Sequence, residues 1–224
     1  MRTEKYIAIL MADLSGYTAM TEVHGPSQAM CIVDKFVGLA KKSLFGKSRL
    51  FERIGDQVVI ISENADDLAR TAVTLNNIAQ KEPYFLPVHS GMHYGSVLEQ
   101  HGRIYGSTIN IAARIASEAR NGSMLASFDF ISALTYPKAF QYEMYGIPHF
   151  KNVLNPTTLF KIIPATTTLS PVFSIDPVCH MQLRENEKGY NFRVDGKRYQ
   201  FCSHQCLDLF TVNQAHFLKQ VNTI

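Results

Sequence analysis

Apolar and polar positions divide the chain into short continuous runs and amphipathic stretches. "KYIAILMAD" is unbroken in its apolar character up to Asp13, the pattern of a buried strand. Beyond "LSGYTAMTEVHG", the segment "PSQAMCIVDKFVGLAKKSLFG" spaces Met30, Val33, Val37 and Leu44 at helical intervals, which predicts an amphipathic helix with Cys31 packed on its apolar face. "SRLFERI" and "QVVIIS" predict two strands around Gly55-Asp56, and "NADDLARTAVTLNNIAQKE" predicts a second helix capped by Asn64. "YFLPVHSGMHYGSVLEQ" reads as a strand, with Gly91 and Gly95 marking bends or close backbone approach. "YGSTINIAARIASEARNG" predicts a third helix ending near Gly122. "SMLAS" and "TTLFKII" add strands, with a helix and a hairpin-like segment between them. Strands and helices mixed in this order predict an α+β domain with helices packed on a sheet.

At "PATTTLSPVFSI" the composition turns to Pro, Thr and Ser, the mark of a linker. The expected organisation is a first domain over residues 1–163, a linker over 164–175 and a small α+β module over 176–224. Phe192, Phe201, Phe210, Phe217 and Met181 are the expected core of that module, which is small enough to need a bound ion or docking for support. A net charge of +3 gives no electrostatic ground for nucleic-acid or membrane binding. No apolar run is long enough to span a bilayer, and the N-terminus lacks a secretory cleavage pattern, so a soluble cytoplasmic protein is expected. Three of the four cysteines, Cys179, Cys202 and Cys206, fall in the last quarter, which in a reducing compartment points to metal or thiol chemistry.

Two carboxylates carry the first candidate site. Asp13 ends one strand and Asp56 sits at a hairpin tip; on neighbouring strands they would face one pocket and need a shared proton or cation. Such oxygen ligands suit Mg2+ or Mn2+, and two ions could serve a phosphoryl displacement. Gly16, Tyr17 and Thr18 of "LSGYT" follow directly and offer backbone N–H groups to a di- or triphosphate. Asn110 and Arg114, four apart on the third helix, share a face; Asn110 could hold a sugar while Arg114 neutralises charge in transit. Taken singly, each has a plain reading: Asp13 as a helix cap, Gly55-Asp56 as a turn, Asn110 and Arg114 as solvated surface.

Together, "ILMADLSGYTAM", "RIGDQVVI", "HSGMHYG" and "YGSTINIAARIASEA" resemble the catalytic domain of class III nucleotidyl cyclases across residues 1–163. The resemblance implies a ferredoxin-like α/β sandwich working as a homodimer with sites shared across the interface. It implies Asp13 and Asp56 as metal ligands, Asn110 as the ribose-orienting and Arg114 as the transition-state residue, and, through "HFKNVLNPTTLFKI", Lys151 as a triphosphate contact. The implied reaction converts a nucleoside triphosphate to a cyclic nucleotide and pyrophosphate. The base-reading positions depart from the adenylate pattern: Glu52 stands where a lysine is usual and Arg103 where an aspartate or threonine is usual. A carboxylate and a guanidinium match guanine's donors and O6; adenine use, or a Glu52–Arg103 pair with recognition lost, stay open.

"DPVCHM" and "YQFCSHQC" resemble the YHS domain, a small metal-associated module. Cys179, Cys202 and Cys206 would hold Zn2+ or another soft metal, with a histidine such as His180 or His204, or water, in the fourth place. The expected protein is a cyclase carrying a metal- or thiol-sensing module. The alternative is a catalytically silent, nucleotide-binding or dimerising scaffold with the same module.

Overall fold

The computed structural model describes residues 3–120, 122–164, 173–184 and 189–221. Strand β1 (Thr3–Leu14) leads into helix α1 (Tyr17–Ser43), then the hairpin β2 (Arg49–Ile54) and β3 (Gln57–Ser62). Helix α2 (Ala65–Ala79), the long strand β4 (Val88–Gln100), β5 (Arg103–Tyr105) and helix α3 (Ser107–Glu118) follow. β6 (Met124–Ser127), α4 (Phe128–Ser132), β7 (Gln141–Gly146) and β8 (Leu159–Ile163) complete the first domain. Its strands form one sheet in the order β2-β3-β1-β4-β6-β8-β7, with β5 beside β4, and β4–β6 is the parallel pair.

Alternation along β1 decides what each face of the sheet meets. Ala8, Leu10 and Ala12 point into a core shared with α1 and α2, while Ile7, Ile9 and Met11 pack against Ala112 and Ala116 of α3. The sheet is therefore covered on both sides, as expected for an α/β sandwich. Asn64 caps α2, its side chain accepting from the Asp67 amide at 2.9 Å. α3 lies close enough to β4 that a side chain at Gly91 would strike the backbone of Ile115 and Ala116.

Three expectations need correction. α1 begins at Tyr17, well ahead of Pro26, because two helical segments join across a non-helical Gly25 (φ 78). Its buried side is Met20, Ala29, Ile32, Val33, Phe36, Leu39 and Ala40, which leaves Met30 60% exposed and Cys31 exposed instead of packed in the core. α3 stops at Glu118, ahead of Gly122.

The C-terminal module comprises β9 (Phe173–Ile175), β10 (Gln182–Arg184), β11 (Tyr190–Val194), β12 (Lys197–Phe201), α5 (His204–Val212) and α6 (Gln214–Val221). β9 lies within the stretch read as linker; residues 165–172 of that stretch lie outside the described residues. Met181, Phe201 and Phe210 are buried in the module, with Phe217 packed beside them, whereas Phe192 touches Phe210 from a 37% exposed position. These residues are continuous with the main core, so the module docks directly on the first domain. The Tyr84 amide donates to the Gln182 carbonyl and the Gln182 amide to the Phe85 carbonyl, both at 2.8 Å. Gln182 also donates its side-chain Nε2 to the Ala79 carbonyl at 3.1 Å.

Candidate active site and cysteine cluster

β1 and the β2–β3 turn bring the Asp13 and Asp56 carboxylates within hydrogen-bonding reach of each other. Gly55 takes φ 63, so the Gly-Asp pair is a turn and also the device that turns Asp56 toward β1. Asp13 does not cap α1: Gly16 occupies the N-cap, while Asp13 Oδ1 accepts from the Leu14 amide at 3.1 Å. Burial raises both carboxyls above the usual range, and the Asp13 charge raises Asp56 further. Two half-buried carboxylates in contact fit a shared divalent cation, which removes their repulsion.

Sequence reasoning missed His89, which pairs with Asp13 in the β1–β4 register. Its Nδ1 lies 2.9 Å from Ser15 Oγ and its Nε2 3.8 Å from Asp13 Oδ2. Burial lowers its pKa, favouring a neutral imidazole that orients Ser15. A polar residue at the inner end of a buried strand was the available signal. Gly16 at the α1 N-cap has no side chain to cap the helix, and among the described residues no side chain accepts from the Tyr17 or Thr18 amide beside Asp13.

Asn110 and Arg114 are exposed on α3. Asn110 lines an open cleft of about 570 Å³ with His93, Asp129 and the 152–158 loop that follows exposed Lys151. Neither Asp13 nor Asp56 lines this cleft. Asp13 faces His89 in the register; α3 begins with Thr108 against Gly95, six strand residues away or roughly 20 Å, and runs back until Ile115 and Ala116 lie against Gly91. One chain thus assembles the carboxylates in one place and Asn110 in another. Glu52, opposite Val59, and Arg103, opposite Gln100, lie on strands separated by β3, β1 and β4. Among the described residues no ion pair joins them.

The cysteines converge. Cys202 Sγ is 3.4 Å from Cys179 Sγ and 3.5 Å from Cys206 Sγ. Hydrogen bonds from Cys179 and Cys206 bring the Cys202 thiol well below the usual thiol range, while the same network drives Cys179 up. Buried Asp176 ties the loops together: Oδ1 accepts from the Val178 and Cys179 amides at 2.8 and 3.3 Å, and Oδ2 from the Cys202 amide at 2.8 Å. Burial, then the Cys202 charge, raises Asp176 to about 6. Neither neighbouring histidine joins the cluster. His180 turns away, so that a side chain at Gly16 would collide with its Cβ, and His204 pairs with Asp208 at 2.8 Å. The histidine present is His24 of α1, which no local spacing announced.

Residues 174–221 match the YHS domain model. An adenylate cyclase of Glutamicibacter nicotianae is 31% identical over 129 residues, covering 57% of this chain and 32% of its own. An adenylyl cyclase from P. aeruginosa superposes with TM-score 0.62 at 16% identity, covering 75% of this chain and 99% of that one. The guanylate cyclase domain from Catenaria anguillulae, solved in complex with GTP, gives TM-score 0.62 at 15% identity over 72% and 98% of the respective chains. The chain spans about a third of the length of the curated relatives it matches. The first domain has the fold of class III adenylyl and guanylyl cyclase catalytic domains, and a YHS domain follows it. Among the described residues, no helix is long and apolar enough to cross a membrane.

Proposed function

We propose that the chain, a first domain at 1–163 followed by the module that β9 opens, is a nucleotidyl cyclase acting as a homodimer. The observation that carries this is the Asp13–Asp56 pair beside the uncapped start of α1. The two carboxylates would hold Mg2+ or Mn2+; when bound, such ions supply charge neutralisation at the phosphates and at the attacking oxygen. The amides around Gly16, Tyr17 and Thr18 receive the polyphosphate. Asn110 orients the ribose, Arg114 offsets negative charge gathering at the α-phosphorus, and Lys151 holds the triphosphate. The 3′ oxygen bonds to that phosphorus, the bond to the bridging oxygen breaks with its electrons leaving on pyrophosphate, and the hydroxyl proton is released.

The separation of Asn110 from the carboxylates within one chain supports a site completed by a second copy. Glu52 and Arg103 read the base, the carboxylate accepting from guanine N1 and N2 and the guanidinium donating to O6. The YHS module acts as the regulatory element.

Purified protein incubated with Mn2+ and either ATP or GTP is expected to form cyclic product. Asp56→Ala and Arg114→Ala are each expected to lose at least ~10²-fold, and an equimolar mixture of the two to regain turnover, since mixed dimers contain one intact site. No product from wild type with either nucleotide ends the proposal. Failure of the mixture alone ends the shared site. Exchanging Glu52→Lys with Arg103→Asp is expected to move preference toward ATP; an unchanged ratio removes both from base reading.

A further inference from the structure

Within α1, His24 closes the first helical segment immediately before Gly25, whose φ of 78 and ψ of 174 leave the helix, and Pro26. That break brings the imidazole to the docked module. His24 Nε2 lies 3.3 Å from Cys202 Sγ and 3.6 Å from Cys206 Sγ. The donor atoms of His24, Cys179, Cys202 and Cys206 all lie within 4.8 Å of one another. A tetrahedral zinc site with its usual Zn–S and Zn–N lengths has edges of roughly 3.6–3.8 Å. Four of the six edges, at 3.3–3.6 Å, fall slightly inside those lengths, and the other two, Cys179 to Cys206 and to His24, stay within 4.8 Å.

A disulfide explains the cluster less well. Cys202 stands at nearly the same distance from Cys179 and Cys206, well outside the ~2.05 Å of a bond. Pairing two sulfurs would leave the third and the imidazole without a role. The surroundings also hold the ligand-bearing loops in place without a metal. Fully buried Asp176 accepts from the amides of Cys179 and Cys202, and Ser203 Oγ accepts from the Cys206 amide at 3.2 Å.

We infer that His24 and the three cysteines form a closed Cys3His site for a soft or borderline divalent ion such as Zn2+, built across the two domains. Three thiolates and one imidazole select such an ion over Mg2+, and four protein ligands leave no open position for substrate. Three ligands belong to the module and one to α1, so the ion clamps the module onto the helix that starts beside Asp13. His180, next to Cys179, lies against Gly16 at that start, so the same clamp presses the module onto the LSGYT loop. Occupancy of the site orders residues 16–24.

The reduced full-length protein, stripped of metal by a chelator, is titrated with Co2+ and then with Zn2+. Wild type is expected to bind one equivalent of Co2+ with the intense ligand-field absorption of a tetrahedral site and thiolate-to-cobalt charge transfer, and to release it to Zn2+. Loss of an outer-shell partner costs a metal site ~10–100-fold, so His24→Ala, which removes a ligand, is expected to weaken binding by about 100-fold or more and to shift the ligand-field bands. His24→Cys is expected to restore tight four-coordinate binding with an all-sulfur spectrum, which separates ligand loss from misfolding. Metal is expected to slow amide exchange over residues 16–24 in wild type and not in His24→Ala. Equal affinity and spectrum in His24→Ala would overturn the inference, as would no uptake by reduced wild type. None of these readouts requires nucleotide turnover, so they stand or fall separately from the cyclase proposal.

Discussion

Gly91→Ala tests how α3 is seated. A methyl at Gly91 would fall on the Ala116 amide nitrogen, 2.6 Å from the Ile115 carbonyl carbon and 2.7 Å from Ala116 Cα. Carbon contacts are comfortable from about 3.5 Å, so α3 must retreat by roughly 1 Å. It cannot do so cheaply, because Ala112, Ile115 and Ala116 are at most 1% exposed and the obstructing atoms are backbone. Overpacking of a dense core costs ~1–3 kcal/mol, and a backbone collision belongs at the upper end. For a chain of this size ~3 kcal/mol lowers Tm by roughly 6–12 °C. Thermal and urea melts measure this directly. Gly38→Ala in α1, where an added Cβ meets nothing within 4 Å, is the control and should gain ~0.5–1 kcal/mol. On the proposed cyclase function, turnover of Gly91→Ala should fall more than its folded fraction, because the proposed Asn110 and Arg114 ride on α3 and ~1 Å of misplacement can cost ~10²-fold. A Gly91→Ala protein that melts and turns over like wild type refutes the reasoning.

Other residues give further tests. Buried Asp66 accepts from the Thr135 and Tyr136 amides at 2.8 and 2.9 Å, so Asp66→Ala leaves both donors unpaired; a loss of ~2–4 kcal/mol is expected by urea denaturation, and a neutral result excludes this role. Asn64→Ala removes the α2 cap and should cost ~1 kcal/mol in the same assay. His93, hydrogen-bonded to Ser127 Oγ at 2.7 Å, has its pKa lowered by burial. A lowered histidine pKa means that the unfolded state takes up the proton first, so its contribution is complete above the unfolded value of ~6.5 and fades as pH falls below it. The drop in Tm between pH 7.5 and 5.5 should therefore be smaller in His93→Gln than in wild type, and an equal drop would exclude His93 as a source.

What could be read from the sequence was whatever the chain encodes locally. The apolar run into Asp13, the turn at Gly55-Asp56 and the Asn64 cap each depend on a few adjacent residues, and each element stands close to its expected place. Met30 and Cys31 lie off the buried stripe because Ala29, Ile32, Val33, Phe36, Leu39 and Ala40 repeat at i, i+3 and i+4, which turns positions 30 and 31 to the far side of α1. Hydrophobicity alone does not choose between adjacent apolar residues. The spacing of Cys179, Cys202 and Cys206 announces a cluster, but spacing points only to histidines adjacent in sequence. His24 lies in the other domain, and its one local sign was a histidine directly before a helix break. His89 was hidden in the same way, since only strand pairing sets it beside Asp13.

The main-chain exchange between Gln182 and the Tyr84–Phe85 segment has a further consequence. Peptide groups carry out that exchange, so no side-chain replacement edits it directly, and it adds to an apolar core already common to both halves. Attachment therefore does not depend on the covalent tether. A specific protease site inserted within residues 165–172 and then cut should yield two fragments that still elute together from a sizing column, parting only when the whole fold melts.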